Sequence, residues 1–198
     1  MQAPPALICL ASASPRRREL LLQLGVPHSV RGAHIDETPQ RAEAPRDYVV
    51  RIASAKAAAV RALEHGLPVL GADTIVVVDG AMFGKPAGRT EGLAMLAALS
   101  GRVHEVLSAV ALADARGIEI ALSVSTVAFR DLSAEECRDY WASGEPHDKA
   151  GGYAIQGLAA AFIESLSGSY SGVMGLPLFE TARLLRAAGV AYGQFPAR

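Results

Sequence analysis

The hydrophobic pattern changes period along the chain. Leu7 to Ala11 is a short apolar run that stops in Ser12, Ala13 and Ser14, and Glu19 to Leu24 resume at helical spacing. Pro15 suits a first helical position, so Ser14 is the predicted N-cap with its hydroxyl on a first-turn amide. Val26 to Arg31 predicts a second strand and His34 to Arg46 a polar loop. Pro45 to about Glu64 predicts a helix with Tyr48, Val49, Ile52, Ala53 and Val60 on its apolar stripe. Pro68 to Val78 is the strongest strand signal, apolar and β-branched enough to be buried on both faces. A turn at Asp79 and Gly80 returns the chain through Ala81 to Phe83. Thr90 to Leu99 predicts a helix ended by Gly101, and two long strands follow, about Val103 to Leu112 and Ile118 to Phe129. Ser133 and Glu136 form a capping box for a helix over Ala134 to Ser143, and Leu178 to Ala188 is the last helix.

Composition narrows the class. The chain has 198 residues, 51% hydrophobic and 20% charged, with a formal net charge of -1. That is enough apolar material for a core, and residues 1–198 are expected to form a single α/β domain. The balance of charge provides no global field for nucleic acid or an anionic membrane, so any anion site is local and its ligand small. Cys9 and Cys137 lie far apart without metal-ligand spacing, which fits reduced thiols. No basic segment leads into an apolar leader, and no run is long enough to span a membrane. The expectation is a soluble, cytoplasmic protein.

Several polar residues stand where stability alone does not ask for them. Arg16 and Arg17 occupy a predicted first helical turn, where cations oppose the macrodipole and each costs about 0.3 to 1 kcal/mol. A bound anion reverses that sign, because amides, serine hydroxyls and guanidinium forks then converge on it. Taken alone, SPRR reads equally well as the start of a run, Arg16 to Arg18, that points into solvent, and Arg18 is assigned to solvent in either case. Asp73 lies in the middle of the buried strand, where a carboxylate costs several kcal/mol unless it is paired, hydrogen-bonded or metal-bound. Gly71 permits a close backbone approach beside it, and Thr74 places a hydroxyl on the opposite face of the pleat. Asp36 and Glu37 by themselves read as loop charges, and Arg51 and Lys56 as helix-surface cations. GAMFGKP is not a P-loop: a residue is missing between the glycines, and Pro86 replaces the magnesium-binding hydroxyl. His104 has no partner at ligand spacing and reads as structural, as do Tyr140 and Trp141. Asp148 to Gly157, DKAGGYAIQG, is too polar for a core strand and too apolar for a free loop, which suits a cleft wall.

SASPRRRELL, the DE loop, YVxRxAxxKA, GADT followed by GKP, LSGRVHEVLSAVAL and GGYAIQG occur in order, and together they resemble the Maf-type nucleotide pyrophosphatases from Leu7 to Ala188. The resemblance implies a curved mixed β-sheet with flanking helices, two lobes around a deep cleft, and a homodimer. It implies hydrolysis of a nucleoside triphosphate to the monophosphate and pyrophosphate. Asp73 matches the family's catalytic aspartate, and Glu37 with Asp73 its ligands for a divalent cation, with magnesium or manganese favoured by hard oxygen donors. Ser14, Arg16, Arg17, Lys56, Thr74, Lys85 and Gln156 match its substrate-binding positions. GGYAIQG resembles the branch acting on dTTP and UTP rather than on methylated GTP, and the Gln156 amide can donate and accept at a pyrimidine edge. Gly172 stands where the family commonly has Asn. The alternatives are a non-catalytic nucleotide-binding regulator of cell division, for which two carboxylates in an anion site have no use, and a pyrophosphatase for methylated GTP.

Overall fold

The computed structural model describes residues 4–193, so the two ends of the expected 1–198 domain lie outside the described residues. Strands β1 (Ile8–Leu10), β2 (His28–Val30), β3 (Val69–Val78), β4 (Ala81–Phe83), β5 (Val103–Asp114), β6 (Gly117–Phe129) and β7 (Ile163–Ser167) form one seven-stranded sheet. The order is β2-β1-β3-β5-β6-β7, with β4 also on β3. β1 runs parallel to both β2 and β3, and the other pairs are antiparallel, so the sheet is mixed as expected. Helices α1 (Pro15–Gln23), α2 (Pro45–Arg61), α3 (Arg89–Leu99), α4 (Ala134–Ala142), α5 (Tyr170–Met174) and α6 (Leu178–Ala187) flank it.

The sequence pattern did not announce β7, a short strand whose residues are partly exposed and which pairs with β6 across a register shift at Ala128/Phe129. Nor did it announce α5 or the three 3-10 turns at Glu145–Asp148, Ala150–Gly152 and Leu158–Phe162. Elements of three to five residues are too short to display a period.

β3 organises the rest. On one side β5 follows it from Val69 to Val77. On the other side β1 pairs only with Val69 and Leu70, and β4 only with Val76, Val77 and Val78. Among the described residues Gly71 to Ile75 therefore have no strand neighbour on that edge, and β1 and β4 diverge from β3 as the two arms of a fork. The hairpins Val78↔Ala81 and Asp114↔Gly117 fix the pleat. They direct the peptide groups of even-numbered β3 residues, including Ala72 and Thr74, toward the open edge.

Side chains follow the same alternation. Leu70 and Ala72 enter one core with β1, α1 and α6, while Val76 and Val78 enter another with α3, α4, Phe129 and Phe162. Thr74 lies between them, and its cross-strand neighbours Ser108 and Ser123 continue a polar line across β5 and β6. That line separates the two lobes on one face of the sheet. The opposite face, with Ile75, Val77, Leu107 and Ala109, packs on Val49, Ala53 and Ala57 of α2. A Cβ on Gly71 would come within 2.3 Å of the Ala53 carbonyl oxygen and 2.6 Å of the Ala57 nitrogen, so helix and strand meet backbone to backbone there. Cys9 and Cys137 are free and buried.

Candidate active site

A cleft of about 630 Å³ opens at the fork. Ser12, Ser14, Arg16, Arg17, Glu37, Lys56, Asp73, Thr74, Lys85 and Gln156 all line it, so every predicted site residue reaches one cavity. They arrive on six pieces of chain, with Ser12, Ser14, Arg16 and Arg17 together at the start of α1 and Asp73 beside Thr74 on β3. β1 ends in the loop that starts α1, β2 in the loop that carries Glu37, and β4 in the loop that carries Lys85. α2 brings Lys56 across the open edge of β3.

At the floor, Lys56 Nζ donates to Asp73 Oδ1 at 2.9 Å and to Glu37 Oε2 at 3.0 Å. The Asp73 side chain retains 9% of its exposure and that of Lys56 11%, whereas Glu37 is half exposed at the rim. Burial pushes the Asp73 carboxyl above the usual carboxylate range, while the charges of Lys56 and Arg17 pull it back. Arg17 is held by the Gly175 carbonyl, 2.8 Å from Nε, and by Ser12 Oγ, 3.2 Å from Nη1, and burial lowers its pKa. Ser108 Oγ donates to the Gly172 carbonyl at 2.6 Å and so accepts from Thr74 Oγ1 at 2.8 Å.

Arg16 reaches across the cleft. Its Nη1 donates to Asp148 Oδ2 at 2.9 Å and its Nη2 to the Asp148 carbonyl at 3.1 Å, and Lys149 pairs with the same carboxylate. Lys149, Tyr153 and Ser12 are cleft residues that the sequence reading did not single out. The DKAGGYAIQG segment was read as a wall, but nothing in its spacing distinguished its lysine from a solvated one.

One local expectation is corrected. Ser14 is the N-cap of α1 by position, yet its side chain makes no capping bond. The hydroxyl in use belongs to Ser12, which accepts from the Ser14 amide at 3.2 Å as well as from Arg17. The amides that an N-cap hydroxyl would take are those of Arg16 and Arg17, and the Ser14 hydroxyl accepts from neither, so the first turn of α1 faces the cleft without a side-chain acceptor. His104 is structural as expected: it is buried, its Nε2 is 2.9 Å from Tyr153 Oη, and its ring meets Phe129 and Tyr153 edge-on. Tyr140 is buried, and Trp141 covers Gly92 of α3. Arg18 is exposed.

Residues 7–188 match the Maf-like protein family. The chain belongs to that family. It is 56% identical over 191 residues to a dTTP/UTP pyrophosphatase of Methylococcus capsulatus, covering 96% of this chain and 95% of the relative. It is 54% identical over 191 residues to one of Alkalilimnicola ehrlichii, at 93% and 94% coverage. A third, of Bordetella parapertussis, is 52% identical over 200 residues, at 96% and 97% coverage.

Among the described residues, no three His, Cys, Asp or Glu side chains converge as a ready-made metal cage. Glu37 and Asp73 do offer two hard oxygen donors within reach of one point, that point being marked by the Lys56 ammonium. Magnesium is commonly held in this way, by one or two carboxylates with substrate phosphates and water completing the shell.

Proposed function

We propose that this protein hydrolyses dTTP and UTP to the monophosphate and pyrophosphate, by attack of water on the α-phosphorus. The observation that carries the reading is the buried Asp73–Lys56 pair in a cleft that Arg16, Arg17 and Lys85 also line. A pure anion binder gains nothing from a desolvated carboxylate, which opposes the anion; a hydrolase gains a base.

The chemistry follows from the placement. The triphosphate repels any anionic nucleophile, so Arg16, Arg17, Lys56 and Lys85 serve first to neutralise its oxygens. Asp73 accepts a proton from the attacking water, and its upward-shifted pKa makes it a better base than an exposed aspartate. The new bond joins the water oxygen to the α-phosphorus, the bond to the bridging oxygen breaks, and pyrophosphate leaves against the cationic wall. Glu37 and Asp73 would hold a divalent cation, magnesium or manganese, which supplies charge neutralisation and orientation of the phosphates. Ser14 and Thr74 bind the substrate through their hydroxyls, and Gln156, exposed in the far wall, reads the pyrimidine edge. The protein works as a cytoplasmic homodimer; among the described residues no helix is long and apolar enough to cross a membrane.

Product analysis tests this directly. Purified protein is incubated with dTTP, UTP, purine triphosphates and methylated GTP in magnesium or manganese, with Asp73→Asn beside it. Monophosphate plus pyrophosphate, greatest with dTTP and UTP and reduced about 100- to 10,000-fold in the variant, is the expected result. Release of inorganic phosphate, or tight binding without turnover, overturns it.

A further inference from the structure

The segment from Gly32 to Ala44 carries Glu37 yet contains no helix or strand. Two side chains one turn apart on α2 take hold of it. Tyr48 Oη donates to the carbonyl of Glu37 at 2.9 Å, and Arg51 Nη2 donates to the carbonyl of the next residue, Thr38, at 3.2 Å. The same guanidinium grips Glu43, with Nε 2.6 Å from Oε1 and Nη2 2.7 Å from Oε2. Glu43 closes the far end of the loop on itself: its Oε2 accepts from the Gln40 amide at 3.0 Å, and its own amide donates to the Gln40 carbonyl at 3.1 Å. Between them Ala42 sits at φ 58, a left-handed conformation that a residue with a Cβ keeps only where its surroundings impose it.

A surface ion pair by itself contributes little. This one differs in what it is attached to. The Glu43 side chain retains only 7% of its exposure and Arg51 lies over the Tyr48 ring at 5.5 Å, and Tyr48 and Arg51 fix the carbonyls of Glu37 and Thr38, the peptide groups on either side of the Thr38 Cα. Among the described residues the Glu37 side chain, half exposed, bonds to Lys56 alone, so its place depends on the backbone that carries it.

We propose that Arg51, acting with Tyr48 and Glu43, is a positioning residue for the reaction: it sets the place of the Glu37 carboxylate beside Lys56 from outside the cleft. The proposal rests on the role given to Glu37 above. Arg51 does not line the cavity, so its effect passes through the loop.

A double-mutant cycle on kcat and KM for dTTP separates the two. Arg51→Gln is expected to lower kcat by about ten- to a hundredfold, the scale of a reacting group displaced by about 1 Å, with little change in KM. In the Glu37→Gln background it should remove nothing further, because the group it positions is already gone. Trypsin should cut after Arg41 faster in Arg51→Gln than in wild type, a readout independent of turnover. Arg51→Lys, which cannot span both Glu43 and Thr38, should recover only part of the rate. If Arg51→Gln does not fold, Tyr48→Phe removes a single hydroxyl from the same clamp and takes its place in the cycle. Full additivity in the double variant, or wild-type kcat in Arg51→Gln while Glu37→Gln is crippled, overturns the positioning role. A fully active Glu37→Gln overturns the role of Glu37 itself.

Discussion

Lys56 and Asp73 meet at 2.9 Å although one belongs to α2 and the other to the open edge of β3. Neither is tolerable there alone. Each loses hydration on burial at a cost of several kcal/mol, and each recovers it chiefly from the other.

Lys56→Met is expected to expose that dependence. Removing a cation next to a carboxyl already raised by burial raises it further, so the acid limb of kcat/KM should move to higher pH. Stability should change in step. An acid whose folded pKa exceeds its unfolded one binds its proton more tightly when folded, and its ionisation destabilises as pH rises from the ordinary aspartate range to the folded value. In the variant that window extends upward, so the loss is greatest at neutral pH and above; at neutral pH it should reach about 3 kcal/mol. Chemical denaturation across pH, together with the pH–rate profile, checks both halves; a destabilisation independent of pH would contradict the electrostatic account.

Gly71→Ala tests the backbone contact that places Lys56. The added methyl meets main-chain atoms of α2 at 2.3 and 2.6 Å, which no rotamer change relieves. The helix must back away from β3, for a loss of about 1 to 3 kcal/mol or more. Thermal melting should show a lower Tm and assay a fall in kcat together; wild-type stability would show that the interface is slack.

His104 sets an acid limit on folding. Burial lowers its pKa from 6.5 to about 4. A base with a depressed folded pKa must take up its proton when the chain unfolds. Its contribution is therefore complete above about pH 6.5 and is lost as pH falls toward about 4, by about 3 kcal/mol in all. His104→Gln keeps an acceptor for Tyr153 without the titration, and its stability should be flatter across that window. Equal slopes for the two proteins would assign the acid sensitivity elsewhere.

Gln156→Ala separates base reading from phosphate binding. The ratio of kcat/KM for dTTP over that for a purine triphosphate should fall by about tenfold, the scale of one lost discriminating hydrogen bond, with the dependence on divalent cation unchanged. A uniform loss over all nucleotides would remove Gln156 from the specificity contacts.

The long elements were legible because their period is long. The ten-residue β3, the seventeen-residue α2 and the β5–β6 hairpin are each fixed by local pattern, with bounds within a few residues of expectation. Asp73 was legible as an anomaly, a charge inside an apolar strand. Glu37 and Lys56 were legible only through the family resemblance; by their own chemistry they are an acid in a loop and a cation on a helix, and the crossing of α2 over β3 brings them to one point. Arg51 shows the same limit from the other direction. It reads as a helix-surface cation, and its fork on Glu43 and Thr38 depends on a loop conformation that no periodicity encodes. The Ser14 cap is a different case: the residue is the N-cap by position, but its hydroxyl leaves the first-turn amides uncapped where they face the cleft.

The fork in the sheet has one more implication, for size. β1 leaves β3 at Leu70 and β4 rejoins it at Val76, and at about 3.3 Å per residue these six steps span roughly 20 Å. That span is measured along a single rigid strand, clamped throughout by β5 on its other edge. The strand thus acts as a ruler for the cavity, giving it a fixed length that the surrounding loops do not set. Changes in the loops that carry Glu37, Lys85 or Gln156 can therefore alter what is gripped at either end while leaving the length of molecule that fits between them the same.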